Sequence, residues 1–418
     1  MEEKNKRIIF HIDVNSAYLS WTAVKQLQYG ESLIDIREVP SIIGGNVEER
    51  HGIVLAKSIP AKKFNIKTGE SILEALKKCP ELKIYPADYN LFMKCSNAMY
   101  ELLNEYSPLI QRYSVDEVFI EASHFNECYM EKANEIKMRI KKELGFAVNI
   151  GISENKLLAK MASDFKQKDA IHTLFKEEIK DKMWPLPVNE LFMVGRATQK
   201  KLEKLNINTI GELAKYDLEI LRTIFKSHGS IIHNYANGID DSEVRKRNYI
   251  EIKGVGNSIT FKRDISERNE AIKVILSLVE TAAKRLRNGN NMCKVVVIGL
   301  KSNSFYYYSH QKSLFSPTDS TEEIYKYIVN CFDEAWKGEP IRQMGVRLTQ
   351  LCSNEFYQRT MFDDNRTDKQ RALDKAIDKI RDRFGDNSVI RSTFINSDIK
   401  PLSGGVGEED YPMMGSIL

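Results

Sequence analysis

Apolar positions fall first in a short run at residues 7–12, RIIFHI, rich in β-branched and aromatic side chains and closed by Asp13. That pattern predicts a buried strand ending at an acid. Residues 14–29 follow with helical spacing. Strand-like IDIREV and a Gly-Gly-Asn turn lie within 34–47, and GIVLA at 52–56 is another short apolar run. SILEALKKCP at 71–80 predicts a helix stopped by proline, and 89–106 a longer amphipathic one. YSVDEVFIE at 113–121 reads as two short strands around a turn. A charged amphipathic helix at 127–144 and a strand, FAVNIGIS, at 146–153 complete the series. The order β-α-β-turn-β-α-β, with an inserted lobe, predicts a ferredoxin-like sheet with helices on one face.

The texture changes at Met183, where WPLPVNELFMVG opens a run of short helices to about residue 238. NGIDDSEVRKRN at 237–248 is polar and reads as a linker. Residues 250–351 return to alternation: strands near 257–261, 293–301, 305–315 and 343–351, with helices at 267–287 and 320–336. The tail beyond 352 is polar until a helical stretch at 368–384.

At 418 residues the chain predicts two to four domains. With 42% hydrophobic and 29% charged residues it has material for a real core. No apolar run approaches the ~18 residues of a membrane span, and the N-terminus MEEKNKRIIFHID lacks an apolar signal core. A cytoplasmic protein without membrane partners is expected. The six cysteines are scattered without a CxxC pair, which predicts packed, reduced thiols. Net charge is only +4, but Arg245 to Lys294 holds twelve Lys/Arg against five Asp/Glu. That concentration fits a phosphate-facing surface as well as a solvated face.

Acids at the ends of buried strands are costly unless neutralised. Asp13 ends a strand, and Asp116 and Glu117 lie in a strand-turn-strand unit that a sheet can bring alongside it. Oxygen ligands suit magnesium, and two ions roughly 3.5–4 Å apart can clamp the attacking and leaving oxygens of a phosphoryl displacement. Neighbours on a regular strand point to opposite faces. Asp116 and Glu117 can therefore share a site only where the backbone departs from a regular strand.

The segment Ile8 to Tyr18, IIFHIDVNSAY, resembles the opening of Y-family DNA polymerases, the DNA polymerase IV and UmuC-like enzymes of translesion synthesis. Residues 113–120, YSVDEVFI, are similar to that family's S-[IV]-D-E motif, and 149–160, NIGISENKLLAK, to its G-I-S-x-N-K block. The resemblance runs from about residue 7 to 351. It implies that Asp13, Asp116 and Glu117 are catalytic and hold two Mg²⁺ ions, helped by the Val14 carbonyl. Tyr18 would be the steric gate, its ring set against a ribose 2′-OH.

The triphosphate pocket departs from the family pattern. Ile59 stands where the family has a tyrosine, and Lys62 where it has an arginine, so charge remains but the bidentate fork is lost. Gln167 occupies a usual lysine position, flanked by Lys166 and Lys168, which could substitute. Lys62, Lys166 and Lys168 are the expected nucleotide ligands.

Val194-Gly195-Arg196-Ala197 resembles the turn of a helix-hairpin-helix, which would offer backbone N–H groups to a DNA phosphate through Gly195 and Arg196. Gly254 to Phe261 looks like the start of the family's little finger. Tyr306-Tyr307-Tyr308 invites a base-stacking reading, but alternation puts at most alternate rings on one face, so ordinary packing is favoured over it. Gln358, Met361 and Phe362 match a Q-x-x-[LM]-F peptide for a sliding clamp.

The expectation is an α+β multidomain, right-hand polymerase. Its parts would be a ferredoxin-like palm (1–23 and 81–169), small fingers (24–80), a helical thumb with the helix-hairpin-helix (170–238), a linker (239–249), a βαββαβ-like little finger (250–352) and a tail (353–418). It would be a monomer that adds dNTPs to a primer 3′ end on primer-template DNA, without proofreading. The alternative is a DNA- and clamp-binding protein of the same family likeness with weak or no catalysis.

Overall fold

The computed structural model describes residues 7–31, 33–45, 52–246, 252–354, 365–395, 397 and 399. They fall into two compact units, the first within residues 1–45 and 53–250, the second chiefly within 251–408.

In the first unit β1 (Ile9–Val14) leads into α1 (Ala17–Gln28). An inserted lobe follows: β2 (Ser41–Gly44), β3 (Val54–Lys57), α2 (Ile59–Lys62), α3 (Ile72–Lys78) and β4 (Lys83–Pro86). Next come α4 (Tyr89–Asn104), β5 (Ile110–Arg112), β6 (Glu117–Glu121), α5 (Tyr129–Arg139), β7 (Val148–Ser153), α6 (Lys156–Ser163) and β8 (Ile171–Thr173). The sheet runs β5-β6-β1-β7-β8. Its first four strands have the ferredoxin-like order.

Strand alternation explains the layers. Ile8, Phe10, Ile12 and Val14 pack into one core with residues of α1, α4 and α5. Ile9 and Phe119 face a second core built by α6 and the helices beyond it. The helices of the ferredoxin-like series, α1, α4 and α5, thus share one face as expected, while α6, beyond that series, lies on the opposite face, where it can reach the acids that share the parity of Ile9. Gly151 on β7 makes that approach possible. A Cβ there would sit 1.9 Å from the Ala159 carbonyl oxygen, a clash no neighbouring backbone could relieve cheaply.

The inserted lobe has its own sheet, β3-β2-β4, over a small core of Ile42, Val54, Ala61 and Ile72. IDIREV forms no strand; the strand, β2, begins only after Pro40. Asp35 captures its own backbone instead, accepting from the Arg37 N–H at 2.9 Å and pairing with the Arg37 guanidinium at 2.7 Å. Such a local turn competes with a ladder. α1 is continuous across residues 23 and 24, where the palm–fingers boundary was expected. Four short helices follow: α7 (Arg196–Glu203), α8 (Ile210–Lys215), α9 (Leu218–Phe225) and α10 (Ser227–Ala236).

The second unit comprises β9 (Gly254–Ile265), α11 (Arg268–Asn288), β10 (Asn291–Ser302), β11 (Tyr307–Thr318), α12 (Thr321–Ala335), β12 (Ile341–Ser353) and α13 (Asn365–Phe384). Its sheet runs β11-β10-β12-β9, with α11 and α12 packed on one face. The six cysteines are all free; Cys79, Cys293 and Cys331 are packed as expected, while Cys128 is exposed. Among the described residues no helix is long and apolar enough to cross a membrane.

The helix of the tail is bound to this unit by charge rather than by apolar packing. Arg287 of α11 pairs with Asp378 of α13 at 2.6 Å, Arg371 with Asp319 at 2.6 Å, and Arg381 with Glu280 at 3.4 Å. Arg287 also donates to the Asp319 carbonyl at 2.8 Å. Removing one partner of a buried pair strands the other charge. Arg287→Ala should therefore cost roughly 3–5 kcal/mol, read as a lowered urea midpoint of the unit's transition.

Candidate active site

β1 and β6 run antiparallel with Asp13 opposite Glu117. Both side chains therefore leave the same face at one end of the sheet. Asp116 is not on a regular strand. The Tyr113 and Ser114 N–H groups both donate to the Glu117 carbonyl, at 2.9 and 3.1 Å, closing a turn just before β6. Ser114 Oγ donates to Asp116 Oδ1 at 2.5 Å and accepts from the N–H groups of Asp116 and Glu117 at 3.3 and 3.1 Å. The Val14 N–H donates to the Asp116 carbonyl at 3.1 Å, tying the turn to β1. This break in alternation brings two sequence neighbours to bear on the same region.

α6 supplies the counter-charge. Asn155 caps it, its Oδ1 accepting from the Leu158 N–H at 2.8 Å. The helix then carries Lys160, whose Nζ donates to Glu117 Oε1 at 2.5 Å in a largely buried pair. Burial pushes Asp13 well above the usual carboxylate range, and the carboxylates Glu117, Asp116 and Asp164 add to it, only partly opposed by Lys160. Burial likewise raises Glu117 despite Lys160 beside it. Lys160 is raised: burial works against its charge, but Glu117, Asp164 and Asp13 more than offset that. One ammonium thus stands against four carboxylates.

A cavity of about 320 Å³ opens beside these acids, lined by Asp13, Val14, Tyr18, Lys57, Lys62 and Asp116 among others. Tyr18 is fixed in it by aromatic packing. Its ring stacks on Phe92 at 4.3 Å between centroids, and Trp21 lies 6.0 Å away. Lys62 ends α2, which Ser58 caps by accepting from the Ala61 N–H at 3.1 Å. Burial lowers Lys62, and the charge of Lys168, itself exposed and outside the cavity lining, lowers it further. Lys57 is lowered by burial and then by Lys62. Mutually repelling lysines gathered over a cavity are suited to an anion.

The structure thus gathers Asp13, Val14, Tyr18, Lys62 and Asp116 around one cavity, with Glu117 paired across the strand and Lys168 close to Lys62. Lys166 is exposed and does not line the cavity; neither does Ile59, 62% exposed. Gly195 is the exposed N-cap of α7, and Arg196 is its first residue. Gln358, Met361 and Phe362 lie outside the described residues. Sequence reasoning missed Lys57, Ser114, Lys160 and Asp164. Lys156, Lys160 and Asp164 recur every four residues, the spacing of one helix face, and that was the available signal.

Among the described residues no group of three or more His, Cys, Asp or Glu side chains is gathered tightly enough to hold a metal ion as it stands. Lys160 holds Glu117 and Ser114 holds Asp116. The donor chemistry nonetheless fits a hard divalent cation: buried oxygen ligands with excess negative charge. Asn15, two residues beyond Asp13, also keeps a buried carboxamide with both polar atoms unpartnered.

The fold is that of the Y-family DNA polymerases. A solved chimera built from Dbh and Dpo4 segments matches with a TM-score of 0.68 at 20% identity, covering 83% of this chain and 100% of that one. DinB from Sulfolobus solfataricus matches with a TM-score of 0.51 at 21% identity, covering 82% and 98%. The chain belongs to the impB/mucB/samB family: residues 12–164 match that family, 252–361 its C-terminal domain and 176–207 the IMS family HHH motif. Relatives include DNA polymerase IV of Clostridium acetobutylicum, 48% identical over 396 residues, which cover 94% of this chain and 100% of the relative. DNA polymerase IV 1 of Bacillus subtilis is 32% identical over 409 residues, 97% of each.

The raised Asp13 and Glu117 fix the sign of a pH effect. The folded state binds protons that the unfolded chain has released, so this contribution is full below the ordinary carboxylate value of about 4. It is lost as pH rises through the raised values. In chelator at pH about 7.5, Asp13→Asn should melt a few degrees above the parent. Thermal scans should show the difference shrinking as pH falls towards about 4.

Proposed function

We propose that this chain is a template-directed, low-fidelity DNA polymerase of translesion synthesis, adding dNTPs to a primer 3′ end. One observation carries the proposal. A single cavity is lined by Asp13 and Asp116, by Lys57 and Lys62, and by Tyr18. A nucleoside triphosphate needs all three: a cation site for its phosphates, cationic side chains, and a surface that reads its sugar.

The family relationship brings a divalent-metal requirement, and two Mg²⁺ ions held by Asp13, Asp116, Glu117 and the Val14 carbonyl are the proposed set. Such ions supply charge stabilisation to both oxygens of an in-line displacement. The chain's own residues do the rest. Asp13 and Asp116 fix the ligand wall, and Ser114 holds Asp116 in its turn. Lys160 opposes the upward shift of Glu117 and holds it in place. Lys62, with Lys168 and Lys57, receives the triphosphate as point charges, without an arginine fork. Lys166 has no support from the cavity lining. Tyr18, backed by Phe92, resists rotation and so holds a firm edge against a 2′-OH.

The second unit supports DNA binding through its outer sheet face, away from α11 and α12. Residues alternating onto it run from Gly254 to Thr260 on β9, Val295 to Lys301 on β10, Tyr307 to Ser313 on β11 and Gln343 to Thr349 on β12. No carboxylate stands among them, while Arg347 and Lys301 do. An acid-free face with hydroxyl, amide and cationic groups suits a phosphate backbone without base readout. Gly195 and Arg196 would add a phosphate contact at the N-terminus of α7. The clamp peptide Gln358, Met361 and Phe362, a monomeric state and a cytoplasmic location complete the proposal.

The lysine cluster at the cavity favours catalysis over a merely binding role. Primer extension with magnesium tests it. Asp116→Ala should cut incorporation on the order of a thousandfold while DNA affinity persists; equal activity in the variant would leave only the binding role. Tyr18→Ala should raise ribonucleotide relative to deoxynucleotide incorporation roughly 10- to 100-fold, measured as the ratio of kcat/KM values.

A further inference from the structure

The hairpin joining β10 to β11 exposes aromatic rings where packing was expected. Tyr308 does pack, half-buried and hydrogen-bonded to Glu339. Tyr306 and Tyr307 do not, at 69% and 62% exposed, and neither does Phe305 beside them at 61%. Exposed rings of that size at a strand end call for an explanation.

Their surroundings narrow it. Phe305 sits in a left-handed turn conformation, φ 66°, closed by its N–H donating to the Ser302 carbonyl at 3.0 Å. Two cations lie over its ring, Lys301 Nζ at 5.0 Å and the Arg342 guanidinium at 4.7 Å from the centroid. Tyr307 lies down on the sheet. Gly299 leaves the room: a Cβ there would fall 2.5 Å from the Tyr307 hydroxyl and 3.2–3.3 Å from two of its ring carbons. The ring borders a trough of about 530 Å³, floored in part by Gly256, Gly299 and Gly345 and walled by Arg347.

We propose that Phe305 and Tyr307 form a base-stacking platform for single-stranded DNA at the end of the second unit's outer sheet face. Flat exposed rings offer a π-face to any base, which gives grip without sequence preference. Lys301, Arg342 and Arg347 supply the charge that tracks the backbone beside it. The absence of carboxylates on that face disfavours a basic protein partner, and the cations favour a polyanion. The glycine floor lets a nucleotide approach the sheet closely. A duplex has its bases stacked already, so this platform selects for unpaired template. The inference rests on the proposed DNA-binding role of the outer face and adds a strand preference to it.

Fluorescence anisotropy on the full chain separates the two. A labelled oligothymidylate and a labelled blunt duplex are titrated against the parent and against Phe305→Ala/Tyr307→Ala. The double variant should lose about tenfold more affinity for the single strand than for the duplex. Tyr307→Trp should retain single-strand affinity, and the emission of its added indole should be quenched by the oligothymidylate more than by the duplex. Equal loss on both probes, or no loss on the single strand, overturns the platform while leaving duplex binding by the face intact. A parent that binds neither probe overturns the DNA-binding role and the platform together.

Discussion

Like charges gathered at the end of a buried sheet repel one another, and this molecule keeps several there. Asp13, Asp116, Glu117 and Asp164 act on one another across the ends of β1, β6 and α6, and Lys160 is the cation that α6 brings among them. Burial raises Asp13 and Glu117, so the folded state holds this cluster at a cost in stability. A fold retains such a cost where the charge is used. Added positive charge is what the cluster lacks, and divalent cations are the proposed supply.

The surrounding structure enforces the arrangement. Gly151 lets α6 lie close enough on β7 to deliver Lys160 to Glu117. The Ser114 turn breaks strand alternation so that Asp116 acts on the same region as its neighbour. Tyr18 is braced by Phe92, and the lysines lining the cavity repel one another as an anion site should. In the second unit the division is equally plain: ion pairs bind α13 on the helical side, while the outward positions named above on β9 to β12 carry no acid.

Much of this was legible in the chain. Alternation around RIIFHID and FAVNIGIS gave the palm strands, and the need for a non-regular backbone at Asp116 followed from the strand period alone. The second unit's strands and helices were legible for the same reason. IDIREV misled because an Asp–Arg pair two residues apart closes a local turn that propensity does not register. Lys160 was hidden because its value depends on α6 crossing the sheet, a tertiary event set by one glycine. Lys57 was hidden likewise, since only folding brings it next to Lys62. Tyr306 and Tyr307 are exposed where packing was expected because a period of two says which rings share a face, not whether that face is covered.

The strand-end acids are proposed to hold divalent ions together. Titration of Mn²⁺ into the full chain with primer-template DNA and a non-reacting dNTP analogue, followed by electron paramagnetic resonance of the free ion, tests it most directly. Two ions bound per chain are expected in the parent, with loss of at least one in Glu117→Gln. Binding that is absent in the parent, or equal in both proteins, would contradict it.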